Sequence, residues 1–210
     1  MGIEPNDALV VVDLQNDFCP GGALAVDSGD EIIPLVNVLG TRFAHVILTQ
    51  DWHPEGHISF ASTHANARPY ETIATPYGMQ ALWPDHCVQN SPGANFHPAL
   101  DIAHTEFILR KGFRQNIDSY SAFVENDRVT PTHLAGYLRE RGLNRLFICG
   151  LAYDFCVRYS AIDGTALDFE CIVIEDATRA VKLPGSVEET EQAFNEAGIQ
   201  RIQAAELLNR

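Results

Sequence analysis

The amino-acid sequence predicts an α/β fold: a single-domain, three-layer sandwich whose mostly parallel central sheet carries helices on both faces. Short apolar runs alternate along the chain with segments of helical periodicity, which is typical of parallel strands joined by crossover helices. The length of 210 residues matches one domain, and 46% hydrophobic residues suffice for a sizeable core without disulfides. We therefore expect residues 1–210 to form one domain.

Five runs of strand length, and a sixth with a less regular pattern, have mostly apolar interiors. They span residues 8–12, 45–49, 106–109, 145–149, 170–174 and 198–202. Strands with one face in solvent alternate polar and apolar residues, whereas continuous apolar runs are typical of strands covered on both faces. We expect these runs to form the central sheet.

Four segments between these runs carry apolar residues at helical spacing. The positions are Ile32, Ile33, Val36 and Leu39; Leu134, Tyr137 and Leu138; Val157, Ala161 and Ile162; and a stretch that reaches Phe194. The last stretch begins with Ser186-Val187-Glu188-Glu189, a spacing that predicts a capping box. These segments should supply the two outer helical layers.

Residues 52–105 form a long insertion between the second and third predicted strands, with six prolines and little periodicity. Loops of this length in a compact domain are usually functional or disordered. The tryptophans at positions 52 and 83 argue against disorder. Because the segment also contains several histidines, we expect it to contribute to metal and substrate binding.

The charge and cysteine content exclude several classes of partner. The 28 acidic residues outnumber the 14 basic ones, and the formal net charge of −14 disfavours binding to nucleic acids or anionic membranes. The N-terminal segment has no basic region, and its longest apolar run, residues 8–12, is too short for a signal peptide or a membrane span. Five cysteines without a CxxC pair indicate free thiols in a reducing compartment. We expect a cytoplasmic protein.

Polar residues follow the predicted strands where each strand ends. Asp13 follows the first strand, Asp51 the second and Lys111 the third, while the fourth ends at Gly150 before a turn that reaches Cys156. In open parallel sheets, ligands bind beyond the carboxyl ends of the strands. Although a polar residue after a strand is usually turn chemistry, the joint placement of these residues predicts an active site.

Cys156 is the candidate nucleophile because it lies between a predicted strand and a predicted amphipathic helix. If Asp154 is the N-cap, Cys156 lies in the first turn, where the positive end of the helix favours a thiolate. The other cysteines lack such a position. Cys149 and Cys171 are expected inside strands, and Cys19 and Cys87 lie in loops without an activating partner.

Asp51 and His53 are candidate metal ligands, because residues two apart at a strand end project from the same face. His86 is the third candidate, and His57 is a less favoured one that the turn at residues 54–56 could fold back. One carboxylate and two imidazoles suit Zn²⁺ or Fe²⁺, with Mn²⁺ as a further possibility. The alternative is that these histidines only bond to backbone or solvent.

Six segments together resemble the nicotinamidase/pyrazinamidase branch of the isochorismatase-like cysteine hydrolases. They are VDLQNDF (12–18), DWHP (51–54), WPDHCV (83–88), RKG (110–112), DSYS (118–121) and GLAYDFCV (150–157). The match runs in order over nearly the whole chain. Members of this family hydrolyse nicotinamide to nicotinate and ammonia in NAD salvage through a cysteine thioester, and many also accept pyrazinamide.

The resemblance implies specific roles for individual residues. It assigns a catalytic triad (Asp13, Lys111, Cys156), metal ligands (Asp51, His53, His86), aromatic walls around the pyridine ring (Phe18, Trp83, Tyr120) and an oxyanion hole formed by the backbone N–H groups of Ala152 and Cys156. A cis peptide between Leu151 and Ala152 should lie beside that hole. The implied partner is a small carboxamide, bound by a monomer or a small homo-oligomer.

The sequence departs from the family pattern at two positions near the nucleophile. Tyr153 replaces a threonine that is frequent in relatives, and Phe155 replaces a tyrosine or histidine. These departures concern the shape of the pocket. Two alternatives are a metal-free relative that acts on isochorismate or a carbamoyl compound, and a binding or regulatory module that has kept the fold without catalysis.

Overall fold

The central sheet of the computed structural model, which describes residues 2–209, contains six strands that pair in parallel. The strands are β1 (Asp7–Val12), β2 (His45–Asp51), β5 (Phe107–Lys111), β6 (Arg145–Leu151), β7 (Glu170–Arg179) and β8 (Gln200–Ile202), and their order across the sheet is β5-β2-β1-β6-β7-β8. All six predicted strands are confirmed. Three of them, β2, β5 and β6, continue two residues beyond the predicted ends.

Helices cover both faces of this sheet. They are α1 (Ile33–Gly40), α2 (Leu134–Arg141), α3 (Arg158–Ala166), α4 (Ser186–Ala197) and α5 (Ala205–Leu208). Successive residues of a strand face opposite sides of a sheet. Accordingly, Leu9 of β1 packs in one core with Val36 of α1, and Val10 packs in a second core with Leu138 of α2. The predicted three-layer α/β sandwich is confirmed.

The predicted capping box at Ser186 is wrong. Helix α4 begins at Ser186 itself, and the N-cap is Gly185 in the left-handed region at φ 81°. The hydroxyl of Ser186 donates instead to Asp154 Oδ2 at 2.5 Å. The side chain of Ser186, which the local pattern assigns to the cap, therefore makes a long-range hydrogen bond instead.

The segment 52–105 contains an antiparallel hairpin that the sequence analysis missed. Its strands are β3 (Thr72–Thr75) and β4 (Gly78–Ala81). The hairpin strands are largely exposed, so they lack the apolar run that marks a buried strand. Elsewhere, the backbone of the segment bridges His53 to Val88 and Phe60 to Trp83. Among residues 2–209, no helix combines the length and apolar character needed to cross a membrane.

The centre of the sheet has a close backbone approach at Gly150. This residue has φ 107°, and a Cβ atom there would lie 2.1 Å from the carbonyl oxygen of Val12 on the adjacent strand. Only glycine adopts such a conformation without strain and leaves room for the neighbouring backbone.

We expect Gly150→Ala to destabilise the fold by about 2–4 kcal/mol, because it combines backbone strain with a steric clash. Gly136 of α2 is the matched control, since a Cβ there meets nothing within 4 Å. Gly136→Ala should stabilise the protein by about 0.5–1 kcal/mol through helix propensity. Urea unfolding measures both free energies. Equal unfolding midpoints for Gly150→Ala and the wild type would contradict this account.

Candidate active site

A buried ammonium group joins the ends of three neighbouring strands. Lys111 ends β5 beside Asp51 of β2, its register partner, and Asp13 follows β1 directly. The Nζ atom of Lys111 lies 2.8 Å from Asp13 Oδ2 and 2.5 Å from Asp51 Oδ1. It also donates to the carbonyl oxygen of Ser119 at 3.0 Å. The structure thus brings together the three polar residues that the sequence places at the strand ends.

Cys156 lies against the same ammonium group. Residues Tyr153–Val157 form a π-helical turn between β6 and α3, and this turn places Cys156 Sγ 3.4 Å from Lys111 Nζ. The sulfur and one carboxylate oxygen each of Asp13 and Asp51 lie within 4.8 Å of one another. A thiol, two carboxylates and a cation therefore meet at one point.

The predicted N-cap at Asp154 is wrong, although Cys156 does lie in the first turn. The N-cap of the π-helical turn is Ala152. The carboxylate of Asp154 accepts hydrogen bonds from the backbone N–H groups of Val181 and Lys182, each at 2.9 Å. Asp154 therefore anchors the segment that precedes α4.

The burial of Cys156 opposes the thiolate that the positive end of the helix is predicted to favour. Burial raises the pKa of the Cys156 thiol well above its usual value, and the cation of Lys111 offsets this only in part. Burial likewise raises the pKa of Asp13, against the opposing charge of Lys111. Burial would lower the pKa of Lys111, but the charges of Asp13 and Asp51 raise it well above its usual value. The ammonium stays charged, and the thiol needs a base.

Three buried atoms that could ligate a metal ion face one another beside this cluster. Asp51 Oδ2 lies 3.6 Å from His53 Nε2 and 3.9 Å from His86 Nε2. The Nδ1 atoms face backbone carbonyls, at 2.9 Å for His53 and Gly112 and at 2.8 Å for His86 and Pro84. Since a carbonyl oxygen only accepts, each Nδ1 carries a proton and each Nε2 is directed at Asp51.

This arrangement demands positive charge at its centre. A neutral imidazole nitrogen and a carboxylate oxygen that face each other repel unless a proton or a cation lies between them. Burial would lower the pKa of His53, but the carboxylate of Asp51 outweighs this effect and raises it. For His86, burial lowers the pKa to about 4. The three ligand atoms lie within 4.8 Å of one another. Their chemistry and spacing fit a divalent cation.

His57 lies near this group but not in it. Its Nδ1 is 2.7 Å from the hydroxyl of Ser59, and its Nε2 is 3.2 Å from the carbonyl oxygen of Ile117. It forms a second group of possible ligands with His53 and Asp118. Both of its ring nitrogens thus have protein partners, and burial lowers its pKa to about 4.

A cavity opens onto the thiol of Cys156 and onto the three candidate ligands Asp51, His53 and His86. The three aromatic residues singled out from the sequence line it: Phe18, Trp83 and Tyr120. Phe155 also lines it, with its ring perpendicular to that of Trp83 at 4.9 Å, whereas Tyr153 packs on Phe194 instead. Of the two departures from the family pattern, the one at Phe155 therefore shapes the cavity.

Three further residues line the cavity that the sequence analysis did not single out as site residues: Leu24, Asp118 and Val181. Asp118 lies in the DSYS segment, two residues before Tyr120 in the sequence, and this position could have indicated that it lines the cavity. Leu24 and Val181 lie outside the quoted segments and give no chemical signal. Ala152 also lines the cavity, and the peptide between Leu151 and Ala152 is cis.

Comparison with known proteins identifies the family. Residues 7–205 match the model described as the isochorismatase domain. The nicotinamidase of Acinetobacter baylyi is 52% identical over 203 residues, which cover 97% of this chain and 95% of that protein. These matches span the strands, the insertion and the residues of the candidate site.

Two solved structures extend the similarity to three dimensions. A nicotinamidase and pyrazinamidase of Acinetobacter baumannii superposes with a TM-score of 0.97 at 51% identity, over 98% of this chain and 99% of that one. The pyrazinamidase of Pyrococcus horikoshii in complex with zinc superposes with a TM-score of 0.78 at 37% identity, over 95% and 99% of the two chains. This chain belongs to the isochorismatase family.

Proposed function

We propose that this protein is a nicotinamidase, which hydrolyses nicotinamide to nicotinate and ammonia in NAD salvage and also accepts pyrazinamide. The observation that carries the proposal is the convergence of Cys156, Asp13 and Lys111 on an aromatic cavity. The similarity to the Acinetobacter nicotinamidases, over nearly the full length of the chains, supports the choice of substrate. The buried free thiols are consistent with action in the reducing cytoplasm.

Asp51, His53 and His86 would hold a divalent cation, with zinc as the first candidate and iron or manganese as alternatives. The zinc complex of the similar pyrazinamidase supports this assignment. When bound, the ion would supply a Lewis acid that helps to hold the substrate in the cavity. A metal-free relative would leave this set of buried donors without a role. The insertion, residues 52–105, contributes two of the three ligands and Trp83, so we assign it to metal and substrate binding.

The first half of the reaction forms a thioester at Cys156. Asp13 takes the proton of the thiol, and the thiolate attacks the carboxamide carbon. Lys111 keeps its charge beside the sulfur and stabilises the thiolate. Negative charge then develops on the carboxamide oxygen, where the N–H groups of Ala152 and Cys156 would donate hydrogen bonds. A single donor of this kind lowers a barrier by about 3–4 kcal/mol.

The second half of the reaction returns the enzyme to its initial state. Protonated Asp13 gives its proton to the leaving nitrogen, and the carbon–nitrogen bond breaks to release ammonia. The same carboxylate then takes a proton from water, which attacks the thioester carbon. Nicotinate leaves as the carbon–sulfur bond breaks, and the proton returns to Cys156. One carboxylate thus serves both half-reactions, while Phe18, Trp83 and Tyr120 hold the ring between them.

Cys156→Ala should lower ammonia release from nicotinamide by at least about 10³-fold, because it removes the atom that carries the acyl group. Cys171→Ala is the control, since that thiol is buried in β7 and does not line the cavity. A coupled ammonia assay measures turnover, and circular dichroism checks the fold. Turnover that survives in Cys156→Ala would refute the covalent mechanism. Absence of turnover in the wild type would refute the proposed activity itself.

Asp13→Asn should lower kcat by about 10²–10⁴-fold, because the amide keeps the shape of the side chain but cannot accept the thiol proton. Stopped assays with saturating nicotinamide measure kcat. The exposed Asp27 provides the matched control, and Asp27→Asn should leave kcat unchanged. A rate near that of the wild type in Asp13→Asn would mean that another group is the base.

His86→Ala should lower the metal content of the purified protein to well below one equivalent, because it removes one of three ligands. Elemental analysis after dialysis against a weak chelator measures the content directly. His104→Ala, in an exposed position, should bind as much metal as the wild type. Full occupancy in His86→Ala would contradict the ligand assignment, whatever its effect on turnover.

A further inference from the structure

One buried polar side chain beside the cavity has no role in the chemistry proposed above. Gln80 lies on β4 of the hairpin and is 1% exposed, whereas its neighbour Met79 is 69% exposed. The remaining hairpin strand residues are exposed or half-buried. Burial of an amide group costs free energy unless hydrogen bonds satisfy it. The position of Gln80 therefore depends on its partners.

Both polar atoms of the Gln80 amide are hydrogen-bonded. Nε2 shares its two hydrogens among three acceptors, and Oε1 accepts from two donors. The acceptors are Asp118 Oδ2 at 2.8 Å, Tyr120 Oη at 3.0 Å and the carbonyl oxygen of Ala81 at 2.8 Å, and the donors are Asn126 Nδ2 at 3.1 Å and Tyr77 Oη at 3.2 Å. Gln80 thus joins the hairpin to the segment 118–126.

Two of these partners line the cavity. Asp118 and Tyr120 both face it, and the hydroxyl of Tyr120 also accepts a hydrogen bond from Trp83 Nε1 at 3.1 Å. The rings of Trp83 and Tyr120 stand nearly perpendicular, with centroids 6.3 Å apart. One hydroxyl therefore connects Gln80 to both aromatic walls.

We propose that Gln80 is a positioning residue for the ring-binding wall of the cavity. Through the hydroxyl of Tyr120 and the carboxylate of Asp118, it fixes the wall that receives a flat six-membered aromatic carboxamide. Gln80 makes no contact with Cys156, Asp13 or Lys111 among its hydrogen bonds, so it acts on substrate binding and not on proton transfer. The inference rests on the proposed nicotinamidase activity.

The test replaces the amide with a thioether of similar length. Gln80→Met should raise KM for nicotinamide about five- to tenfold, because the wall loses the hydrogen bonds that Gln80 donates to Tyr120 and Asp118, with kcat within about twofold of the wild type. The dissociation constant of nicotinate, measured by tryptophan fluorescence, should rise by the same factor. Met79→Ala, on the exposed side of the same strand, should change neither quantity.

A double-mutant cycle separates positioning from support of the hairpin. Tyr120→Phe should raise KM by itself, and Gln80→Met should raise KM by a smaller factor in that background than in the wild type, because both variants lack the hydrogen bond between Gln80 Nε2 and Tyr120 Oη. Unchanged KM in Gln80→Met, or effects that multiply fully, would overturn the inference. If Gln80→Met does not fold, Tyr120→Phe decides alone, and an unchanged KM in that variant overturns it.

The outcome also distinguishes this inference from the proposed activity. A wild type that releases no ammonia contradicts the activity, and the nicotinate titration then still tests Gln80. If the wild type hydrolyses nicotinamide and the Gln80→Met variant has the same KM, only the role of Gln80 is contradicted.

Discussion

The buried ammonium group of Lys111 is the interaction on which the site depends. Its side chain is fully buried between the carboxylates of Asp13 and Asp51. Moving a charge of this kind out of water costs several kcal/mol, which only well-placed opposite charges offset. Because β1, β2 and β5 are adjacent and parallel, their carboxyl ends bring the three groups to the same edge of the sheet. The sheet order thus makes the charge cluster possible.

This cluster also links the two halves of the site. Oδ1 of Asp51 contacts Lys111, while Oδ2 faces His53 and His86. The two oxygens of one carboxylate therefore face different halves of the site, one the thiol side and the other the metal-ligand side. A displacement of β2 that improved one set of contacts would disturb the other. We interpret the pairing of Asp51 with Lys111 across β2 and β5 as the constraint that fixes the position of the two halves relative to each other.

The sequence predicts the site wherever its position follows from the sheet, and fails where long-range contacts compete with local patterns. Asp13, Asp51 and Lys111 follow from strand ends alone. Both wrong caps have a single cause, since the carboxylate of Asp154 and the hydroxyl of Ser186 bond to each other. Gln80 could not have been identified, because a polar residue in an exposed hairpin gives no sign of burial until the partners that surround it are known.

The protonation of the thiol shows how burial can oppose a local electrostatic effect without preventing catalysis. The end of a helix contributes about 0.3–1 kcal/mol to a nearby charge, which is small beside the cost of several kcal/mol for burying an unpaired one. Burial raises the pKa of Cys156 and of Asp13 alike, and Lys111 opposes both shifts. Proton transfer between the two groups depends on the difference of their pKa values, and the raised pKa of Asp13 makes its carboxylate a stronger base for the thiol proton. A thiol that is protonated at rest can therefore still pass its proton to Asp13 within the site.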